Sequence, residues 1–261
     1  MEGHDRDSRL NERQYPGSHG PLQWRAGCQP ALRPHRKRFL ACFSPLILAL
    51  AACAGDDVGA DAGFQPVSVQ GDGIRVEMKY FTGDNLVGEP LDGYRANHCL
   101  LVPVAAEALQ KVADDLARRG LGLEVFDCYR PQRAVDHFVR WAGAPEDFST
   151  KSQFYPREKK SQMFERGYIA ERSGHSRGAT VDLGLYNLQS GESLDMGTGF
   201  DFMDERSATA FALENPEAVR NRQLLKDSMA AHGFVNYAQE WWHYTYKPEP
   251  WPEQYFDIPV E

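Results

Sequence analysis

The chain has 261 residues, 42% apolar and 25% charged, which suits one good-sized globular domain. Its formal net charge is −8, and no basic stripe interleaved with aromatic residues appears, so nucleic acid is excluded as a partner class.

In chain order, the first fifty residues differ from the rest. The basic cluster PHRKRF (34 to 39) precedes LACFSPLILALAAC (40 to 53), an apolar run of signal-peptide length and too short to span a bilayer core of roughly twenty residues. A buried core helix is the other reading of that run. The Gly/Ala/Asp stretch AGDDVGADAG that follows disfavours it, because such a stretch reads as a flexible tether. The 33 residues ahead of the basic cluster exceed an ordinary n-region, which points to a true start near Leu32. Without residues 1–53 the chain keeps 21 basic and 33 acidic side chains, a net −12 suited to a soluble exported domain.

From residue 73 the pattern is mixed. GIRVEMKYF (73 to 81) alternates as a strand, and VPVAAEALQKVADDLARRG (102 to 120) places Ala105, Ala108, Leu109, Val112, Ala113 and Leu116 on one helical face, closed by Gly120. LGLEVFDC (121 to 128) is a strand. YRPQRAVDHFVRWA (129 to 142) is a helix with Pro131 at its first position and an apolar stripe of Ala134, Val135, Phe138 and Trp141. Residues 143–172 read as a surface excursion with a short helix near REKKSQMFERG (157 to 167). TVDLGLY (180 to 186) is a strand, and SGESLDMGTGFDFMDERS (190 to 207) is a Gly- and Asp-rich loop. PEAVRNRQLLKDSMAAHG (216 to 233) is a helix, and EWWHYTYK (240 to 247) a closing strand. The predicted fold is α+β, a single domain over 73–261 with a central, mostly antiparallel sheet flanked by helices. Residues 1–53 are the leader and 54–72 the tether.

Of five histidines in the domain, His175 and His243 lack an easy structural account. Small residues surround His175, and Asp182 enters an otherwise apolar strand, where a carboxylate is costly unless paired or metal-bound. Glu240, three residues before His243, is placed to act as a general base. Two readings stand: a zinc site of His175, Asp182 and His243, or an Asp–His hydrogen bond supporting a turn. In a regular strand Glu240 and His243 would face opposite sides, so both reach one site only through a bulge or turn. Cys99 and Cys128, the cysteines left if Cys53 is modified, suggest one disulfide in an oxidising compartment, with two buried thiols as the alternative.

SGHSRGATVDL and EWWHY resemble the two motifs of the zinc D-Ala-D-Ala metallopeptidases, and DCYRPQRAVDHF with LDMGTGFDFMDERS narrows the resemblance to their D,D-dipeptidase branch, over residues 75–261. The small-residue pattern runs GATVD where the broader superfamily has GxAxD, while the His-to-Asp spacing of seven is kept. The resemblance implies one zinc ion on the sheet, held by His175, Asp182 and His243, with Glu240 as general base and Arg130 at the scissile carbonyl. An Arg130–Asp127 pair is the structural alternative. It further implies Ser173, Asp201 and Tyr80 as substrate contacts, the last two at a free amino group. The expected reaction is hydrolysis of D-Ala-D-Ala in dipeptide scavenging or wall turnover. The alternatives are a D,D- or L,D-carboxypeptidase acting on peptidoglycan stem peptides, and a non-catalytic peptidoglycan-binding module. Leu50-Ala51-Ala52-Cys53 resembles a bacterial lipobox, which implies lipidation at Cys53, a membrane attachment through that anchor alone, and a periplasmic location.

Overall fold

The computed structural model describes residues 64–261. The leader, Cys53 and the first part of the expected tether lie outside the described residues.

A five-stranded sheet organises the domain in the order β2-β4-β5-β7-β6: β2 Ile74–Val76, β4 Leu121–Asp127, β5 Thr180–Asn187, β6 Phe234–Asn236 and β7 His243–Tyr246. Only the β2–β4 pair is parallel; the other three are antiparallel. Helices α1 (Pro103–Ala117) and α4 (Pro216–Ala230) pack together, on β4 and β6 respectively. The stripe predicted on α1 is buried at all six positions. Helix α2 (Gln132–Gly143) buries Ala134, Val135, Phe138 and Trp141, and Pro131 stands one residue ahead of its first turn rather than in it. A short α3 (Lys151–Phe154) and a 3-10 turn at Lys160–Gln162 interrupt the polar excursion. A disulfide joins Cys99 and Cys128.

Three expectations shift. The strand predicted over 73–81 ends at Val76, and the chain tightens into a 3-10 turn at Lys79–Phe81 that buries Tyr80. The Glu77 N–H still bonds the Val125 carbonyl at 2.9 Å, and on its other side β4 shifts register against β5 between Val125 and Asp127. The tether's described part is also packed: β1 (Val67–Ser68) pairs with β3 (Leu100–Leu101), and Phe64 stacks on Phe256 with ring centroids 4.2 Å apart. The folded domain therefore reaches back at least to Phe64. Finally, the closing strand begins at His243, not Glu240.

Candidate metal centre and cavity

The sheet register builds the site. Asp127 lies opposite Asp182 across β4 and β5, and Asp182 lies opposite His243 across β5 and β7, so three polar residues form one row on one face. His175 enters from a 3-10 turn, Gly174–Arg177, capped by Ser173, whose hydroxyl accepts the His175 N–H at 3.3 Å. Gly178 closes that turn with φ +77°. A Cβ there would stand 2.4 Å from the Phe64 ring, so glycine is required twice over.

Three atoms converge: His175 Nε2 and His243 Nδ1 lie 3.2 and 3.0 Å from Asp182 Oδ1, and 3.2 Å from each other. A tetrahedral zinc ion with ~2.0–2.1 Å bonds sets its ligand atoms roughly 3.3 Å apart, so this spacing fits. The donor pattern fits as well. The Cys128 carbonyl only accepts, so His175 Nδ1 donates to it at 2.6 Å and Nε2 is the ring nitrogen left to face the cluster. Asp182 Oδ1 is buried there without a hydrogen-bond partner. Two imidazole nitrogens around a carboxylate oxygen with no hydrogen-bond partner make a donor set that suits a cation. Burial pushes the Asp182 carboxyl up, but the imidazoles, His175 foremost, outweigh it and hold it well below the usual carboxylate range.

Glu240 sits in a turn ahead of β7, which resolves the facing problem. The His243 N–H returns to the Glu240 carbonyl at 3.4 Å, and Asn236 Nδ2 grips the carbonyls of both residues at 3.0 and 3.1 Å. Its carboxylate reaches His243 Nδ1 at 3.6 Å and stays outside the cluster of three. Burial pushes its pKa up to about 7.

A cavity of about 300 Å³ opens on this centre, and all eight predicted functional side chains line it: Tyr80, Arg130, Ser173, His175, Asp182, Asp201, Glu240 and His243. Arg130 lies between the Tyr80 and Phe138 rings, 4.8 and 5.3 Å from their centroids. Its Nε and Nη2 donate to Asp127 at 3.0 and 2.9 Å, so the structural pairing exists alongside its place in the cavity. The Tyr80 hydroxyl reaches both Asp201 oxygens, at 3.0 and 2.9 Å. Burial drives the Asp201 carboxyl well above its ordinary range, against those hydrogen bonds. A carboxyl in that setting gains from a cation brought to it.

Residues 60–261 match the D-ala-D-ala dipeptidase family. The chain belongs to that family. D-alanyl-D-alanine dipeptidases of Streptomyces coelicolor, Enterococcus faecalis and Enterococcus faecium are 51%, 46% and 44% identical to it over 189 residues. Each alignment covers 72% of this chain and 93–94% of the relative.

Around this dipeptidase-family centre, two supports escaped the sequence reading. Asp127 entered it only as a partner for Arg130. In the fold it also accepts the Tyr94 hydroxyl at 2.5 Å and lies 3.3 Å from His175 Nδ1, which ties the arginine to one of the two clustered histidines. Arg222 is the second. Its buried guanidinium donates to the carbonyls of Met196, Arg206 and Ala208 at 2.6–2.9 Å, and burial lowers its pKa to about 10. That clamp fixes the loop presenting Asp201, which takes φ 56°, the one positive φ outside glycine among the described residues. An aspartate ending an apolar strand was the available signal for the first; Arg222, one charged residue among many in a predicted helix, gave none.

Proposed function

We propose that the chain is a zinc-dependent dipeptidase cleaving D-Ala-D-Ala with water into two molecules of D-alanine. The carrying observation is the cluster of His175, Asp182 and His243 within one cavity with Glu240, Arg130 and Asp201. His175, Asp182 and His243 would hold the ion, which when bound polarises a carbonyl and acidifies water. Asp201, steadied by Tyr80, receives the substrate ammonium. Glu240 takes a proton from the attacking water and passes it to the leaving amine, a task suited to a carboxyl whose pKa is about 7. Arg130 donates to the carbonyl oxygen as negative charge builds there. Ser173 adds a polar contact at the wall.

The free amino group is the selective feature. A longer or acylated N-terminus would leave Asp201 buried without its cation. The test is hydrolysis of D-Ala-D-Ala, L-Ala-L-Ala and N-acetyl-D-Ala-D-Ala by the zinc-loaded protein, with and without a chelator. The first alone should be cleaved, and the chelator should abolish the activity. Cleavage of the acetylated compound would favour a carboxypeptidase, and no cleavage at all a binding module.

We further propose an exported protein anchored by lipid on Cys53, serving dipeptide scavenging or wall turnover. The basic cluster, the following apolar run and the Cys99–Cys128 disulfide support this, since disulfides persist in oxidising compartments. Cell fractionation with labelled fatty acid should recover a membrane-bound, labelled form. A cytosolic form retaining residues 1–53 would refute export.

A further inference from the structure

A zwitterionic dipeptide carries two charges into a cavity, and the reading above accounts for one. The carboxylate gains from a cation of its own, since a charge-assisted hydrogen bond is the stronger kind. Apart from the histidines, the lining residues include two cations, Arg130 and Arg172. The charge of Arg130 is already matched, with two donors on Asp127 and Nη2 3.6 Å from Asp182.

Arg172 is differently placed. It is exposed, beside Ser173 on the cavity wall, and no carboxylate among the described residues pairs with it. Its guanidinium lies 5.2 Å over the Tyr255 ring, and that ring is anchored from its other contact by Arg177, whose Nη1 donates to the Tyr255 hydroxyl at 3.3 Å. Arg177 in turn is paired with Glu249. A cation–π contact of this kind uses none of the N–H donors and leaves them for the two-pronged contact a carboxylate takes. Tyr255 therefore holds Arg172 in place without neutralising it.

Resting on the dipeptidase reading, we infer that Arg172, with the adjacent Ser173 hydroxyl, is the receptor for the substrate's C-terminal carboxylate. The dipeptide then lies with its ammonium inward on Asp201, which is 2% exposed, and its carboxylate at the mouth on exposed Arg172. Charge at the C-terminus, not lack of room beyond it, sets the preference at that end.

The experiment compares D-Ala-D-Ala with D-Ala-D-Ala amide, which keeps the ammonium and the scissile bond but not the second charge. Both are assayed on the zinc-loaded wild type, Arg172→Gln and Arg172→Lys. The wild type should favour the dipeptide over the amide by about tenfold in kcat/KM, a size suited to a charge-assisted pair open to solvent. Arg172→Gln should lose about that tenfold on the dipeptide, mainly in KM, and almost nothing on the amide. Arg172→Lys should recover part of the preference. Equal losses on both substrates, or an undiminished dipeptide rate in Arg172→Gln, would overturn the assignment. A wild type inactive on the dipeptide would instead sink the underlying functional reading.

Discussion

Replacing Glu240 with glutamine is expected to slow D-Ala-D-Ala hydrolysis by about a thousand-fold, within the range general-base loss produces, while zinc content stays at the wild-type level. The geometry separates the two readouts. The Glu240 carboxylate stands 3.6 Å from His243 Nδ1 and outside the trio of atoms on which the ion would sit. A carboxamide keeps the shape and removes the proton acceptor. Released D-alanine gives the rate and elemental analysis the metal, and a variant stripped of zinc would make Glu240 a ligand instead. The pH profile offers a second check. A base works only when ionised, and burial raises Glu240 to about 7 before any cation acts on it. A bound cation lowers that value, so the acid limb of kcat/KM should fall no higher than about pH 7 and should vanish from the variant's residual rate.

How far the sequence reached follows from the range of the interactions involved. Helices α1 and α2 were legible because their apolar stripes are local, repeating every three or four residues along one segment. His175 and Asp182 stood out because each is a polar group in a setting that offers it no ordinary partner. The larger failures are non-local. Strand β2 gives way to the turn that buries Tyr80 against Asp201, far along the chain, and the domain starts at or before Phe64 because that ring meets Phe256 from the far end of the chain. Nothing in either segment reports its partner. The row Asp127–Asp182–His243 likewise depends on the pairing of three strands, and no spacing within one motif encodes it. The turn at Glu240 was required by chemistry before its cause was visible. That cause is Asn236, whose side chain binds the carbonyls at both ends of the turn.

Arg130 carries the second large effect, because two roles meet in one side chain. As counter-ion to Asp127 it neutralises a fully buried carboxylate that also steadies His175. Arg130→Met should therefore lower the melting temperature sharply, since breaking a buried pair costs about 3–5 kcal/mol. That loss alone says nothing of catalysis, and lysine separates the roles. Arg130→Lys keeps a positive charge beside Asp127 but not the flat fork, whose Nε and Nη2 both reach Asp127 Oδ2 and leave other N–H donors for the cavity. Arg130→Lys should melt close to the wild type, bind zinc normally and lose about a hundred-fold or more in kcat with little change in KM, as expected when a donor to a developing oxyanion is withdrawn. Undiminished turnover in Arg130→Lys would reduce Arg130 to the partner of Asp127 and move oxyanion stabilisation elsewhere in the cavity.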